Sequence, residues 1–402
     1  MVSKISFKNY KIFKTKQTLE LKPITILIGK NNSGKSAVLK LLTMLEGSLN
    51  GRFSEALALE NDEVRIANEY KELVYGQVHR NIEFEIFEKK ETNPTEFNFL
   101  KTSIYFQDDQ PIIEKWNCNN DLILTKDISK YYDDQNMTLW SCSFTGINLN
   151  LRFLKDKEDF SGDVPSQNFS LNTDFIGALR QEAQKNYEYS RNILEKSGID
   201  GRKLFDFLIE DSQTTDKKYF SQISNFIKEK FEGWGLFIDV DGGRNDKPAI
   251  IFLERDKLKI NISQTGMGIS QVLPLIIRAY KPCEKETCII IEEPESHLHP
   301  YAHAQLAQLY FDSLALDRNK KYLFETHSQN FVLRMRRLVA EGKLKPENLA
   351  IYYVEFNSET NESELKKIEV DEFGRVSFWP EGVFGETLKE TIGIRTAQID
   401  KK

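Results

Sequence analysis

Along the chain the first clear signal is a change of period. Ile5, Phe7 and Tyr10 interleave with polar residues and Thr18–Leu21 repeats the alternation, which predicts half-buried strands. Pro23 ends that pattern. Ile24–Ile28 follows as an unbroken apolar run between proline and glycine, and predicts a central strand buried on both faces. Val38, Leu39, Leu41, Leu42 and Leu45 then recur at helical spacing, so Ser36–Leu45 is expected to be a helix. Residues 49–80 show no dominant period. From Ile82 to Leu154, stretches such as IEFEIFEK, FNFLKTSIYFQ and TLWSCSF are separated by Asp, Asn, Gly and Lys clusters and predict an antiparallel β subdomain. Residues 155–173 read as an exposed loop.

The composition shifts near Phe175. Residues 178–232 predict several helices broken at Gly198, Gly201 and around Thr214, without the sustained heptads of a coiled coil. Strand patterns return after Gly233 (GLFIDVDGG, AIIFLE, KLKINIS), with DGGRND as a hairpin turn. The rest alternates: a helix from about Gly268, a strand at Thr287–Glu292, a helix from about Tyr301, a strand at Tyr322–Glu325, a helix from about Asn330 and a strand at Leu349–Phe356. That order predicts an α/β fold whose sheet is covered by helices. Three parts are expected: an N-terminal lobe (1–174), a helical insertion (175–235) and a C-terminal lobe (236–402).

Composition narrows the function. The 402 residues, 40% hydrophobic, can build a packed core of two lobes, and a net charge of −6 excludes a globally basic nucleic-acid binder. The longest apolar runs fall far short of the ~20 residues a spanning helix needs. The start, MVSKISFKNYKIF, lacks a signal-peptide core. Cys118, Cys142, Cys283 and Cys288 form no CxxC pair, which fits reduced thiols. A cytoplasmic protein without membrane segments is expected.

Gly29-Lys30-Asn31-Asn32-Ser33-Gly34-Lys35-Ser36 fits G-x-x-x-x-G-K-[ST] at every fixed position, between a predicted strand and a predicted helix that continues through Ala37. Glycines let the backbone turn tightly and aim its N–H groups at phosphate oxygens, and the helix N-terminus adds positive potential. Lys35 would reach the β and γ phosphates of a nucleotide, and Ser36 would ligate Mg²⁺.

Three further blocks specify the kind of nucleotide site. TCIIIE (Thr287–Glu292) is an apolar strand that delivers Glu292 to the sheet's C-terminal edge, with Glu293 next in the chain. Glu292 would hold Mg²⁺ through water, and Glu293 would orient or deprotonate the attacking water. SQTGMGISQ, with Gly266 and Gly268, opens an apolar helix and forms a second candidate anion site. His327 follows an apolar strand and could hydrogen-bond a γ-phosphate.

This order of blocks resembles the ABC-type ATPase heads of the RecF/OLD-like group, including AAA-labelled ATPases of phage-defence operons. The likeness rests on ISFKNYKIF followed by ITILIGKNNSGKS, on TGMGISQVLPLI, on CIIIEEPESHLHP and on LFETHSQNF. GRVSFWPEGVFGE and FIGALRQEAQKNY resemble a subgroup with its own C-terminal domain. The resemblance implies a P-loop NTPase fold with a mixed sheet. It also implies phosphate and Mg²⁺ binding by Gly29, Gly34, Lys35 and Ser36, a catalytic glutamate at Glu293 and a switch histidine at His327. Gly266, Gly268 and Ser270 would contact ATP held by a second subunit. The segment departs from LSGGQ, leaving its hydroxyl donor as Thr265 or Ser270. Gln77 is the candidate for a Mg²⁺-sensing glutamine.

A homodimer sandwiching two ATP is therefore expected, acting as a switch. Its output would be a separately encoded effector, such as a nuclease, in phage defence or genome maintenance. The segment after His327 is too short for the TOPRIM nuclease of OLD-like relatives together with the sheet's closing strands. A RecF-like DNA clamp is the alternative, supported by the basic run Arg334, Arg336, Arg337, Lys343 and Lys345. His297 and His299 suggest zinc only weakly, because no third ligand is evident in the sequence.

Overall fold

The structure, a computed structural model, describes residues 2–90, 96–119, 122–125, 130–133, 138–153, 169–190, 192–240, 248–380, 382–384 and 386–400. Its centre is a six-stranded sheet in the order Thr173–Ile176, Thr287–Glu292, Lys320–Glu325, Ile24–Gly29, Leu349–Asn357, Glu362–Ile368. Five strands run parallel, and the last is antiparallel to its neighbour. The fold is the expected mixed α/β type.

The unbroken apolar runs follow from burial on both faces. Side chains alternate across a strand, so a strand covered on each side is apolar at every position. Ile24, Ile26 and Ile28 enter one core while Leu27 enters the other. Ile289 and Ile291 likewise face the first core, and Cys288 and Ile290 the second.

The second core lies against a six-stranded antiparallel sheet in the order Gln17–Glu20, Val2–Lys8, Ile82–Lys89, Phe97–Gln107, Gln110–Cys118, Leu122–Thr125. Helix Lys35–Leu49 is buried in this core through Val38, Leu39, Leu41, Leu42 and Leu45. The first core takes helices Met267–Tyr280, Pro300–Leu316 and Gln329–Ala340. It also takes helices Leu204–Gln213 and Lys218–Lys230 and a three-stranded sheet of Gly235–Asp239, Ile250–Arg255 and Leu258–Asn261.

The helical insertion is smaller than the sequence suggests. Only 204–230 contributes α-helix, and the described residues of 177–203 form irregular chain. Their main-chain groups bond to distant segments instead of along a helix. Gly177 donates to Ile199 O at 2.7 Å, Gln181 donates to Asp200 O at 3.0 Å, and Tyr187 and Ala249 exchange bonds of 2.8 and 2.9 Å. The expected boundaries fall within the strand Thr173–Ile176 and at the first residue of Gly235–Asp239. The expected DGGRND turn and most of the 155–173 loop lie outside the described residues. Among the described residues no helix is long and apolar enough to cross a membrane.

Candidate functional site

Three parallel strands end side by side at one edge of the central sheet, at Gly29, Glu292 and Glu325. Gly29 hands the chain to the phosphate loop, and only glycine fits there. A Cβ at Gly29 would lie 2.5 Å from Val354 O on the adjacent strand and 2.9 Å from Ser33 Oγ. Gly34 has φ +103°, and a Cβ there would lie 2.8 Å from Ile12 Cγ2. Lys30, Asn31 and Asn32 are exposed along the rim, whereas Ser33 is buried with an unpartnered hydroxyl.

Lys35 is 3% exposed. Its ammonium donates to Gly29 O at 3.1 Å and Lys30 O at 2.8 Å, and stands 3.7 Å from Glu325. Burial holds its pKa below the usual lysine value. Ser36 donates through Oγ to Glu325 Oε2 at 2.8 Å. Ala37 accepts from the Tyr10 hydroxyl at 3.3 Å, tying the helix start to the loop before Ile12. An inward-facing ammonium, an unpaired buried hydroxyl and glycines that leave no room for a Cβ together suit a polyphosphate.

Glu292 and Glu293 reach the same side of the sheet although adjacent strand residues face opposite ways. The reason is local. Glu293 has φ +42°, so the chain turns there, and its N–H donates to Glu325 O at 2.8 Å. Burial, and the Glu325 carboxylate beside it, push Glu292 up to about 7. Burial also raises Glu325, against the pull of Lys35 and Ser36. Glu293 feels Lys35, Glu325 and His327 electrostatically, and its Oε2 accepts from Ser296 Oγ at 2.7 Å. Partial burial, then the Lys35 charge, hold His327 below its ordinary pKa, so at neutral pH its ring is mostly uncharged.

The Gly-rich helix start stands elsewhere. Thr265, Gly266 and Gly268 line a groove of about 640 Å³ with Trp234, His297 and His299, and no phosphate-loop residue lines that groove. Thr265 Oγ1 donates to Ile262 O at 2.7 Å, and Ser270 Oγ donates to Met267 O at 2.8 Å. Ser270 is buried, whereas Thr265 is half-buried at the groove, so Thr265 is the more accessible of the two hydroxyls.

Gln77 is not placed with these groups. It is exposed in the turn Tyr75–Gln77, and its side chain makes no hydrogen bond among the described residues. One of the two strands beside Thr287–Glu292 is Thr173–Ile176, and the chain leaving it passes Glu292. A Cβ on Gly177 would lie 3.7 Å from Glu292 Oε2, and the Ala178 backbone hydrogen-bonds that carboxylate. In the basic run Arg337, Lys343 and Lys345 are exposed, and most of the run has partners. Arg337 and Lys343 pair with Glu341 at 2.6 and 2.8 Å, and Arg336 donates to Gly374 O at 2.9 Å.

Among the described residues no three His, Cys, Asp or Glu side chains converge to hold a metal ion by themselves, His297 and His299 included. A phosphate-bound Mg²⁺ needs less, since it keeps waters and takes one or two protein ligands. Ser36, Glu292 and Glu325 supply donors of that kind.

Four residues escaped the sequence reading. Glu325 lies in register with Glu292. Arg180 is 5% exposed, and its Nη2 donates to Glu292 O at 2.6 Å and Glu293 O at 2.8 Å. Gln271 bonds Arg180 in turn, and Glu295 accepts the His327 N–H at 2.5 Å. The only signal for Arg180 was its place in FIGALRQEAQKNY.

The fold is similar to the crystal structure of an Smc head bound to the C-winged-helix domain of ScpA. Identity is 14% and the TM-score 0.52, over 92% of this chain and 98% of that one. It is also similar to the Smc head domain with an extended coiled coil bound to the C-terminal domain of ScpA, from Pyrococcus furiosus. There identity is 12% and the TM-score 0.50, over 98% and 99% of the two chains. These likenesses establish an ABC-type head fold. No curated protein matches the sequence significantly. Residues 344–392 match a family described as a protein of unknown function, DUF3696. Residues 1–332, which include the phosphate loop and all three strand ends, match the AAA ATPase domain, and the chain belongs to that family.

Proposed function

We propose that the protein binds ATP with Mg²⁺, hydrolyses it between two copies of the chain, and uses the cycle to gate a separately encoded effector. Lys35 and the backbone of residues 29–36 would bind the phosphates. Ser36 and Glu292, with Glu325 behind Ser36, would hold Mg²⁺, which neutralises phosphate charge when bound. Glu293 would orient the attacking water and take its proton. His327, mostly neutral, would donate its one ring N–H to an oxygen of the terminal phosphate.

One observation carries the two-copy reading. Thr265, Gly266 and Gly268 line a groove that no phosphate-loop residue of their own chain lines, which supports a cage around the terminal phosphate that a second chain would complete. A second copy facing the first would complete both sites. Nucleotide then acts as adhesive between heads, and hydrolysis releases them. The resemblance to RecF/OLD-like heads favours a cytoplasmic role in phage defence or genome maintenance, through a partner such as a nuclease.

Light scattering tests the reading. Glu293→Gln should bind ATP, dimerise and fail to turn over. A variant that stays monomeric in saturating Mg-ATP overturns the sandwich.

A further inference from the structure

Behind the paired carboxylates lies a cluster of unsatisfied polar atoms. Nε and Nη1 of Arg180, Oε2 of Glu295 and the hydroxyl of Tyr310 are buried and without hydrogen-bond partners. Arg180 is 5% exposed, Glu295 8% and Tyr310 not at all. The three side chains lie within electrostatic range of one another. Native proteins rarely leave such atoms unpaired, so a concentration of them calls for a functional explanation.

The contacts of Arg180 show what it connects. Its main-chain N–H donates to Gln271 Oε1 at 3.3 Å, and Gln271 Nε2 donates back to Arg180 O at 3.1 Å. Gln271 follows Gly266, Gly268 and Ser270 on the helix Met267–Tyr280. At its other end Arg180 holds the carbonyls of Glu292 and Glu293. Glu295, beyond that turn, fixes the N–H of His327. Hydrogen bonds thus link Gln271, next in the chain after Ser270, through Arg180 to the main chain of both carboxylates.

We propose that Arg180 is a positioning residue that couples engagement of the Gly266–Ser270 corner by a second copy to the placement of Glu293, receiving the signal from Gln271. This rests on the two-copy reading above. Its two unpartnered nitrogens, Nε and Nη1, and the free oxygen of Glu295 form an ion pair in the engaged state, drawing the turn that carries Glu293 toward His327. Gln271 moves Arg180 because the amide grips both main-chain groups of that residue.

The test uses the full-length protein and the variants Gln271→Leu, Arg180→Lys and their double, with ATP affinity, kcat, KM and thermal midpoint measured on each. Gln271→Leu should keep ATP affinity and KM within about threefold, while kcat falls at least about fivefold. Arg180→Lys, which keeps the charge but loses the planar fork, should behave alike. The double variant should be no slower than Arg180→Lys alone, as expected of two residues in one path. A Gln271→Leu protein with wild-type kcat overturns the coupling, as does a double variant whose losses multiply. A merely structural role would lower the midpoint and ATP affinity along with kcat, and that pattern also overturns it. The two readings fail separately. If Glu293→Gln stays monomeric, the two-copy reading falls; if it dimerises while Gln271→Leu turns over normally, only the coupling falls.

Discussion

The hydroxyl of Ser36 donates to Oε2 of Glu325 at 2.8 Å. A hydroxyl that gives its proton to a carboxylate keeps its lone pairs free, and those lone pairs are what a cation takes. Glu325 therefore orients Ser36 as well as adding charge beside Glu292. Glu325→Ala should leave Ser36 free to rotate and weaken the apparent Mg²⁺ affinity about 10- to 100-fold, the usual cost of losing a partner behind a ligand. Titrating Mg²⁺ against ATPase rate at saturating ATP measures this, and an unchanged Mg²⁺ midpoint would show that Glu325 plays no such part.

How much of this site the sequence disclosed follows from the range of its interactions. The strand Thr287–Glu292 was legible to the residue because both its faces are buried, which forces an apolar run ending where the sheet ends. Gly29–Ser36 was legible because a phosphate turn needs its glycines at fixed intervals. Gln77 is exposed in a turn and makes no hydrogen bond to Glu292 among the described residues. No periodicity tells which strands lie beside Thr287–Glu292, and one neighbour, Thr173–Ile176, brings Gly177 and Ala178 there. Arg180 and Gln271 are 91 residues apart, so their pairing has no local signature. The irregular chain of 177–203 read as helix because its amphipathic spacing is real, whereas its backbone partners are distant.

Lys35→Ala should lose nucleotide affinity. The ammonium is buried against two carbonyls of the phosphate loop, and a hydrogen bond to a charged group is worth about 1.5–3 kcal/mol. That corresponds to at least about tenfold weaker binding of a fluorescent ATP analogue. Unchanged binding would remove the phosphate-loop assignment.

Asp174 links pH to stability. It sits in the edge strand, 2% exposed, and accepts from Arg278 Nε at 2.5 Å and from the N–H and Oγ of Ser197 at 2.8 and 2.6 Å. Burial alone would raise its pKa, but Arg278 and Ser197 together hold it below the ordinary aspartate value. Its contribution is thus fully present above the unfolded pKa of about 3.9 and is lost as pH falls through the lower folded value. Asp174→Asn strands the Arg278 charge and should cost about 3–5 kcal/mol at pH 7. In urea unfolding the gap between the two proteins should hold from pH 7 to 5 and narrow below pH 4. A gap that widens on acidification would contradict the sign.

Gly266 separates the fold from the two-copy chemistry. At Gly29 a Cβ would strike the main chain of Val354, so Gly29→Ala should destabilise the fold by about 1–3 kcal/mol and distort the phosphate loop. Gly266 differs: nothing lies within 4 Å of a Cβ built there, and its φ of −62° suits any residue. Glycine is a clearly better helix N-cap than alanine, so Gly266→Ala should cost about 0.5–1 kcal/mol. The thermal midpoint should drop by no more than about 2 °C, and ATP affinity in dilute protein should hold. Turnover should nonetheless fall about 10²-fold, because the added methyl occupies space that the second copy's phosphates would fill, and a misplacement of about 1 Å carries that cost. Scanning fluorimetry and steady-state ATPase on one preparation decide the matter. A Gly266→Ala protein that is stable and fully active would mean that this corner meets no phosphate from any chain.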